Sequence, residues 1–399
     1  MRKADRKRWI EIIAILGAFV ITIGCAGETP KGDDGDGNGD GDGDGNSNGD
    51  QWQDELDNRE VDYSAALRIA ALKLTGALPT LSEINSIANT PDVNEQRGIY
   101  RDLIDSYIAR PTFARQLFNR FQYELEMGGN GLNAGPAFAL DLAMNNRDFR
   151  EILTAQSGNC PTVTFDGQGI PTVTPADCAT GIGVESGILT NQEMLSQQFS
   201  NMAFKRVRWV YETFLNRALP GRLADEPIKL DDGSFFEGRW PFLSISGKHN
   251  LPDTDVDFTD TSSVVCANCH VEMNHIAPIL AHFDKDGVYS PDFAVVKPSK
   301  KTVVRVDYLP EGEPTEWLPG LATPDIASLG AAMAADPEVQ TALVKRVIAW
   351  AQSHPDAVDS AFYIPDEVAA DLVQVFVNTN FNYVEVVREA FLRRDFIKF

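Results

Sequence analysis

The chain has 399 residues, enough for two or three domains' worth of buried core. Its 35 Lys and Arg stand against 58 Asp and Glu, a formal charge of −23, which argues against a nucleic-acid binder because phosphate contacts need a basic surface. Beyond the N-terminus no apolar run reaches the roughly 18 residues of a membrane span, which excludes a polytopic membrane protein.

Arg2, Lys3, Arg6, Lys7 and Arg8 open the chain, followed by an apolar run from Ile12 to Ile23 that ends at Gly24-Cys25. A basic flank, a short apolar core and small residues at its end predict a secretory signal over 1–24. Cys25 directly after the small residue resembles the bacterial lipoprotein signal, which implies a lipidated Cys25 as the first residue of the exported chain. Thr22 stands where that signal usually has an aliphatic residue, and a simple secretory signal or an uncleaved anchor helix is the competing reading. Loss of 1–24 removes five basic and two acidic groups and takes the charge from −23 to −26. Ala26 lacks the Asp that holds some lipoproteins at the inner membrane, so this sorting rule implies the outer membrane.

Gly32 to Asp50 is almost wholly Gly, Asp and Asn. Such a segment has nothing to bury and its carboxylates repel, which predicts an extended tether within 25–56. Asp40, Asp42, Asp44 and Gly45 match the first half of a calcium loop, but Gln51 stands where the bidentate Glu belongs.

Helix signals then recur. Asp62 to Leu74 carries Ala66, Ile69, Ala70 and Leu74 on one 3.6-period face, and Thr80-x-x-Glu83 is a capping box. Pro111 opens a helix with Ala114, Leu117, Phe118, Phe121 and Leu125 on one face. Spans 203–217, 337–352, 365–377 and 382–394 behave likewise. Val303 to Tyr308 alternates and is expected to pair with Phe293–Val296 in a small hairpin. The expected fold is mainly α, a helical cytochrome-like body with a small β-hairpin.

Five cysteines carry most of the functional information. Cys160 and Cys178 lie in a Gly/Pro/Thr-rich segment without metal-ligand spacing, and in an exported protein they are most simply a disulfide. It closes a loop of about 19 residues, worth about 3 kcal/mol on the chain-entropy model. Cys266-Ala267-Asn268-Cys269-His270 is the attachment pattern for one c-type haem: Cys266 and Cys269 form thioethers to the porphyrin, and His270 is the proximal iron ligand. The two cysteines are expected one turn apart on a short helix. A redox dithiol normally wants a strand–helix context, whereas 253–265 reads as a polar loop. Half a zinc site lacks its second C-x-x-C.

From Cys266 the chain reads CANCHVEMNHIAPILAHFDKDGVYS. With Leu280, Phe283, Asp284 and Gly287 in place, this resembles the planctomycete-type cytochrome c families of unknown function. Leu74-Thr75-Gly76, Pro79-Thr80, Gly187-Ile188-Leu189-Thr190 and Lys205-Arg206-Val207-Arg208-Trp209-Val210 are similar to the family's other segments, and 329–399 to its closing helices. The resemblance runs over 61–399. His275 and His282 fall where family members commonly carry other residues, so it implies no role for them.

The sixth iron position is left open. Met273 is one turn past His270 and on the same side of the ring. Met333 ranks first, since small cytochromes often recruit a downstream Met; His282 and His275 follow, then His249 and Met202, with an open site as the alternative. The chain therefore divides into a signal (1–24), a lipidated tether (25–56), an N-terminal helical part (57–160), a disulfide loop and middle helical segment (161–260) and a haem-binding C-terminal part (261–399). The expected function is electron transfer by a lipid-anchored mono-haem cytochrome of the cell envelope, whose acidic surface would steer basic redox partners at low salt. Open-site haem chemistry on peroxide or a small molecule, or a surface interaction protein with structural haem, are the alternatives.

Overall fold

The computed structural model of the chain describes residues 57–218, 228–229, 235–236, 255–259, 264–292, 305–352 and 363–399. The predicted export signal (1–24), Cys25, the Gly/Asp-rich segment, His249, His354 and Phe293–Val296 lie outside the described residues. All described residues belong to one unit, Trp52–Phe399, which takes in the 57–160, 161–260 and 261–399 segments set out above.

The fold is mainly helical, with small two-stranded sheets. Local capping explains where many helices begin. Asp62 accepts from the Ala65 amide to start α1 (Tyr63–Thr75), and Thr80 and Glu83 form a reciprocal capping box at α2 (Leu81–Ala88). Asp92 caps α3 (Val93–Ile108), and Pro111 occupies the first position of α4 (Pro111–Glu124). The buried face of α1 is Ala66, Leu67, Ala70, Ala71 and Leu74; Ile69, expected there, is only half-buried and Leu67 takes the inner place. α1 packs on α3 and α4, and α4 packs on the almost wholly buried α5 (Ala134–Met144).

After the short α6 (Glu151–Thr154), β1 (Thr162–Phe165) and β2 (Pro171–Thr174) form an antiparallel hairpin. Its turn is held by Asp166, whose carboxylate accepts from the Gln168 and Ile170 amides. The Cys160–Cys178 disulfide closes the base of this hairpin, as the cysteine count predicted. Asn159 beside it donates to the Gly187 carbonyl and to Thr190 Oγ1, and Thr190 Oγ1 also receives the Ser186 amide. The Gly-Ile-Leu-Thr segment is thus a buried polar knot under the disulfide. Gly187, at φ +49°, sits so close to α6 that a Cβ would lie 2.2 Å from the Ile152 carbonyl oxygen.

The chain continues through α7 (Gln192–Gln197) and α8 (Phe204–Phe214), then the short antiparallel pair β3 (Ile228–Lys229) and β4 (Phe235–Phe236). β5 (Asp255–Asp257) precedes α9 (Val264–Leu280), which carries the Cys-x-x-Cys-His run. α9 is a 17-residue helix rather than the short one expected. The strand inside 303–308 is present as β6 (Arg305–Asp307), but it pairs in parallel with β5. Parallel pairing requires a crossover, and α9 lies within it.

β7 (Glu316–Leu318) and β8 (Leu321–Ala322) make the last hairpin, followed by α10 (Ile326–Ala335), α11 (Pro337–Ala351), α12 (Asp366–Asn378), α13 (Tyr383–Leu392) and α14 (Arg394–Ile397). α13 packs on α3, and α14 on α1. The Glu60 and Phe399 backbones exchange hydrogen bonds of 3.2 and 2.9 Å, so the last residues of the body pair with its first. Among the described residues no helix is long and apolar enough to cross a membrane.

Candidate functional site

The backbone of α9 puts positions 266, 269 and 270 on one helical face, within about 100° of arc at 3.6 residues per turn. The side chains of Cys266 and Cys269 lie outside the described residues. His270 is described, and its surroundings are built by three distant stretches of chain. Phe258, directly after β5, stacks on the imidazole with centroids 5.6 Å apart and planes 11° apart. Phe204, the first residue of α8, meets the ring edge-on at 4.8 Å. Tyr308, directly after β6, stacks on Phe258 at 5.6 Å and meets Phe204 at 5.9 Å. The β5–β6 pair therefore delivers two aromatic rings to the site, and the Phe258 amide donates to the Asp307 carbonyl at 2.6 Å to hold them together. Phe258 and Tyr308 are buried and Phe204 half-buried, giving the imidazole an apolar, water-poor surround.

Among the described residues, Asn274 makes a polar contact to the imidazole. His270 Nδ1 lies 2.9 Å from Asn274 Oδ1, one turn further along α9. The Asn274 amide nitrogen donates to the Phe258 carbonyl at 3.0 Å. Burial holds the His270 pKa below its usual range, the Asn274 hydrogen bond partly opposing it, so the neutral imidazole is favoured. A neutral imidazole with one ring nitrogen bearing its proton has a lone pair on the other, as a metal ligand requires.

The far end of α9 is fixed by a buried cation. Arg206 is 1% exposed and donates five hydrogen bonds to four carbonyls: two to Leu195 and one each to Leu280, Phe283 and Asp284. It thereby satisfies carbonyls left orphaned at the helix terminus. Burial pulls its pKa down to about 10, which leaves it charged at neutral pH. In the following loop Asp284 accepts from the Asp286 and Val288 amides, so its carboxylate shapes a turn.

The remaining sequence candidates make contacts of their own. His275 Nδ1 is 2.9 Å from the Pro314 carbonyl, and His282 Nδ1 is 2.9 Å from the Ser290 carbonyl beyond the end of α9. Met333 is fully buried in α10, which packs on α6 and the 187–190 turn. Met202 is half-buried and sits, with Ala203, in a left-handed turn that contacts α9 and leads into Phe204. Among the described residues no three His, Cys, Asp or Glu side chains converge into a metal-binding cluster.

Phe204, Phe258, Tyr308 and Asn274 did not emerge from the sequence as site residues. Only Asn274 carried a readable signal, its i+4 spacing from His270 on the same helix. No protein-family model, curated protein or solved structure matches the chain.

Proposed function

We propose that the protein is a membrane-tethered mono-haem c-type cytochrome lipoprotein that transfers electrons in the cell envelope. The observation that carries this reading is the Cys266-x-x-Cys269-His270 run on one face of α9, with a half-buried His270 set between Phe204, Phe258 and Asn274. The export signal and the resemblance to planctomycete-type cytochrome c families support it too. Cys266 and Cys269 would hold the porphyrin by thioethers, and His270 would be the proximal iron ligand. Haem c, when bound, supplies a one-electron Fe(II)/Fe(III) couple. Phe204, Phe258 and Tyr308 exclude water beside the ligand and so bear on its potential. Met333, His282 and His275 remain the candidates for the distal position. Cys25 would anchor the body at the outer membrane, and the charge of −26 left after loss of 1–24 favours basic redox partners.

The test is intact mass with a pyridine haemochrome spectrum, on protein matured in a periplasm equipped for haem c assembly. The expected result is one haem of added mass and a c-type band, both lost in Cys269→Ser. No added mass and no Soret band would make Cys266 and Cys269 a dithiol or disulfide, and the cytochrome reading would fall. Carbon monoxide on the reduced protein then separates an electron carrier, with its spectrum unchanged, from an open-site haem enzyme.

A further inference from the structure

The Asn274 side chain is 2% exposed and its two polar atoms have different partners, which fixes the direction of a hydrogen-bond chain. A backbone carbonyl can only accept, so the atom facing the Phe258 oxygen must be the amide nitrogen. The atom facing His270 is then the amide oxygen, which also can only accept. His270 Nδ1 must therefore carry the ring proton, and Nε2 is left with the lone pair. The chain continues into the sheet, since the Phe258 amide donates to the Asp307 carbonyl.

We infer that Asn274 is a positioning residue for the metal ligand: it sets the His270 tautomer with Nε2 free, and tunes the electron donation of the imidazole. This rests on reading His270 as an iron ligand, although the tautomer itself does not. An acceptor on the far nitrogen of a ligating imidazole raises its basicity, and loss of such a partner typically costs about 10- to 100-fold in metal affinity or activity. Asn274 also joins the ring to β5, so imidazole orientation and sheet geometry are set by one side chain.

Two readouts test this. In full-length protein made haem-free by Cys266→Ser with Cys269→Ser, long-range 1H–15N spectra should show His270 protonated at Nδ1, and Asn274→Leu should move the population toward Nε2–H. A parent already protonated at Nε2 would overturn the inference. In haem-loaded protein, Asn274→Leu removes the acceptor and should raise the midpoint potential. Asn274→Asp keeps an acceptor, now anionic, while giving up the donation to Phe258, and should lower it. Shifts of the same sign, or none, would overturn the inference, because a merely structural loss has no reason to reverse direction between these variants. A parent that carries no haem would defeat the proposed function instead, and the tautomer readout on that parent would still decide the role of Asn274.

Discussion

Replacing Arg206 by Met is the most searching test of how α9 is held. The guanidinium is 1% exposed and donates five hydrogen bonds to the Leu195, Leu280, Phe283 and Asp284 carbonyls. Hydrogen bonds from a charged donor contribute about 1.5–3 kcal/mol each, while burying the ion costs several kcal/mol. Methionine fills much of the same volume, so the loss is in the polar contacts, and four carbonyls are left without this donor. Each buried carbonyl left without a partner costs about 1–3 kcal/mol, so the loss is a large share of the roughly 5–15 kcal/mol that holds a protein folded. Arg206→Lys should fall between, since an ammonium has three donors and cannot span four carbonyls. Urea unfolding followed by near-ultraviolet circular dichroism reads the loss as a lower midpoint. An unfolding free energy within about 1 kcal/mol of the parent for Arg206→Met would refute the reasoning, as would a Lys variant as stable as the parent.

Reducing the Cys160–Cys178 disulfide, or replacing both cysteines by Ser, frees a segment with a sequence separation of 18 and should cost about 3 kcal/mol; a thermal scan with and without reductant measures it. Gly187→Ala meets the Ile152 carbonyl at 2.2 Å and should destabilise by more than about 3 kcal/mol, whereas Gly131→Ala, at φ +83° with nothing within 4 Å, should cost only about 1–2 kcal/mol. Equal losses in denaturant would show that close approach is not what the Gly187 position demands. Ala203, 2% exposed at φ +58°, should be improved by glycine by about 0.5–1 kcal/mol, because a left-handed Ala is strained and its methyl is small. A lower unfolding midpoint for Ala203→Gly would mean that the strain is absent.

The starts of helices were legible because capping is local. Asp62, Thr80 with Glu83, Pro111, Pro337 and Asn382 each act within a few residues, and each lies at the observed N-terminus of a helix. The disulfide was legible because cysteine is scarce and the chain offered one leftover pair. The length of α9 was not, since the C-x-x-C spacing calls for only one helical turn; yet the helix runs through Pro278 to Leu280. The partner of β6 was missed for a different reason. Hairpins announce themselves through the turn between their strands, whereas β5 and β6 pair in parallel across α9 and leave no contiguous signal. The aromatic wall of His270 was invisible for the same reason, its residues coming from positions 204, 258 and 308.

These non-local contacts share an anchor. Phe204 and Arg206 are two residues apart in the first turn of α8, a spacing that sends side chains to different sides of a helix. One meets the His270 ring and the other reaches the Leu280–Asp284 carbonyls, so the start of α8 fixes α9 both at its His270-bearing half and at its end. The strained Met202–Ala203 turn directs the chain into that position, and left-handed non-glycine residues persist where surrounding contacts over-determine them. A C-x-x-C-H run needs only five residues for attachment, but the orientation of its histidine is settled by α8, β5 and β6 together. Variants that disturb the start of α8 should therefore shift the His270 environment as well as stability, whereas those at the Cys160–Cys178 hairpin should change stability alone.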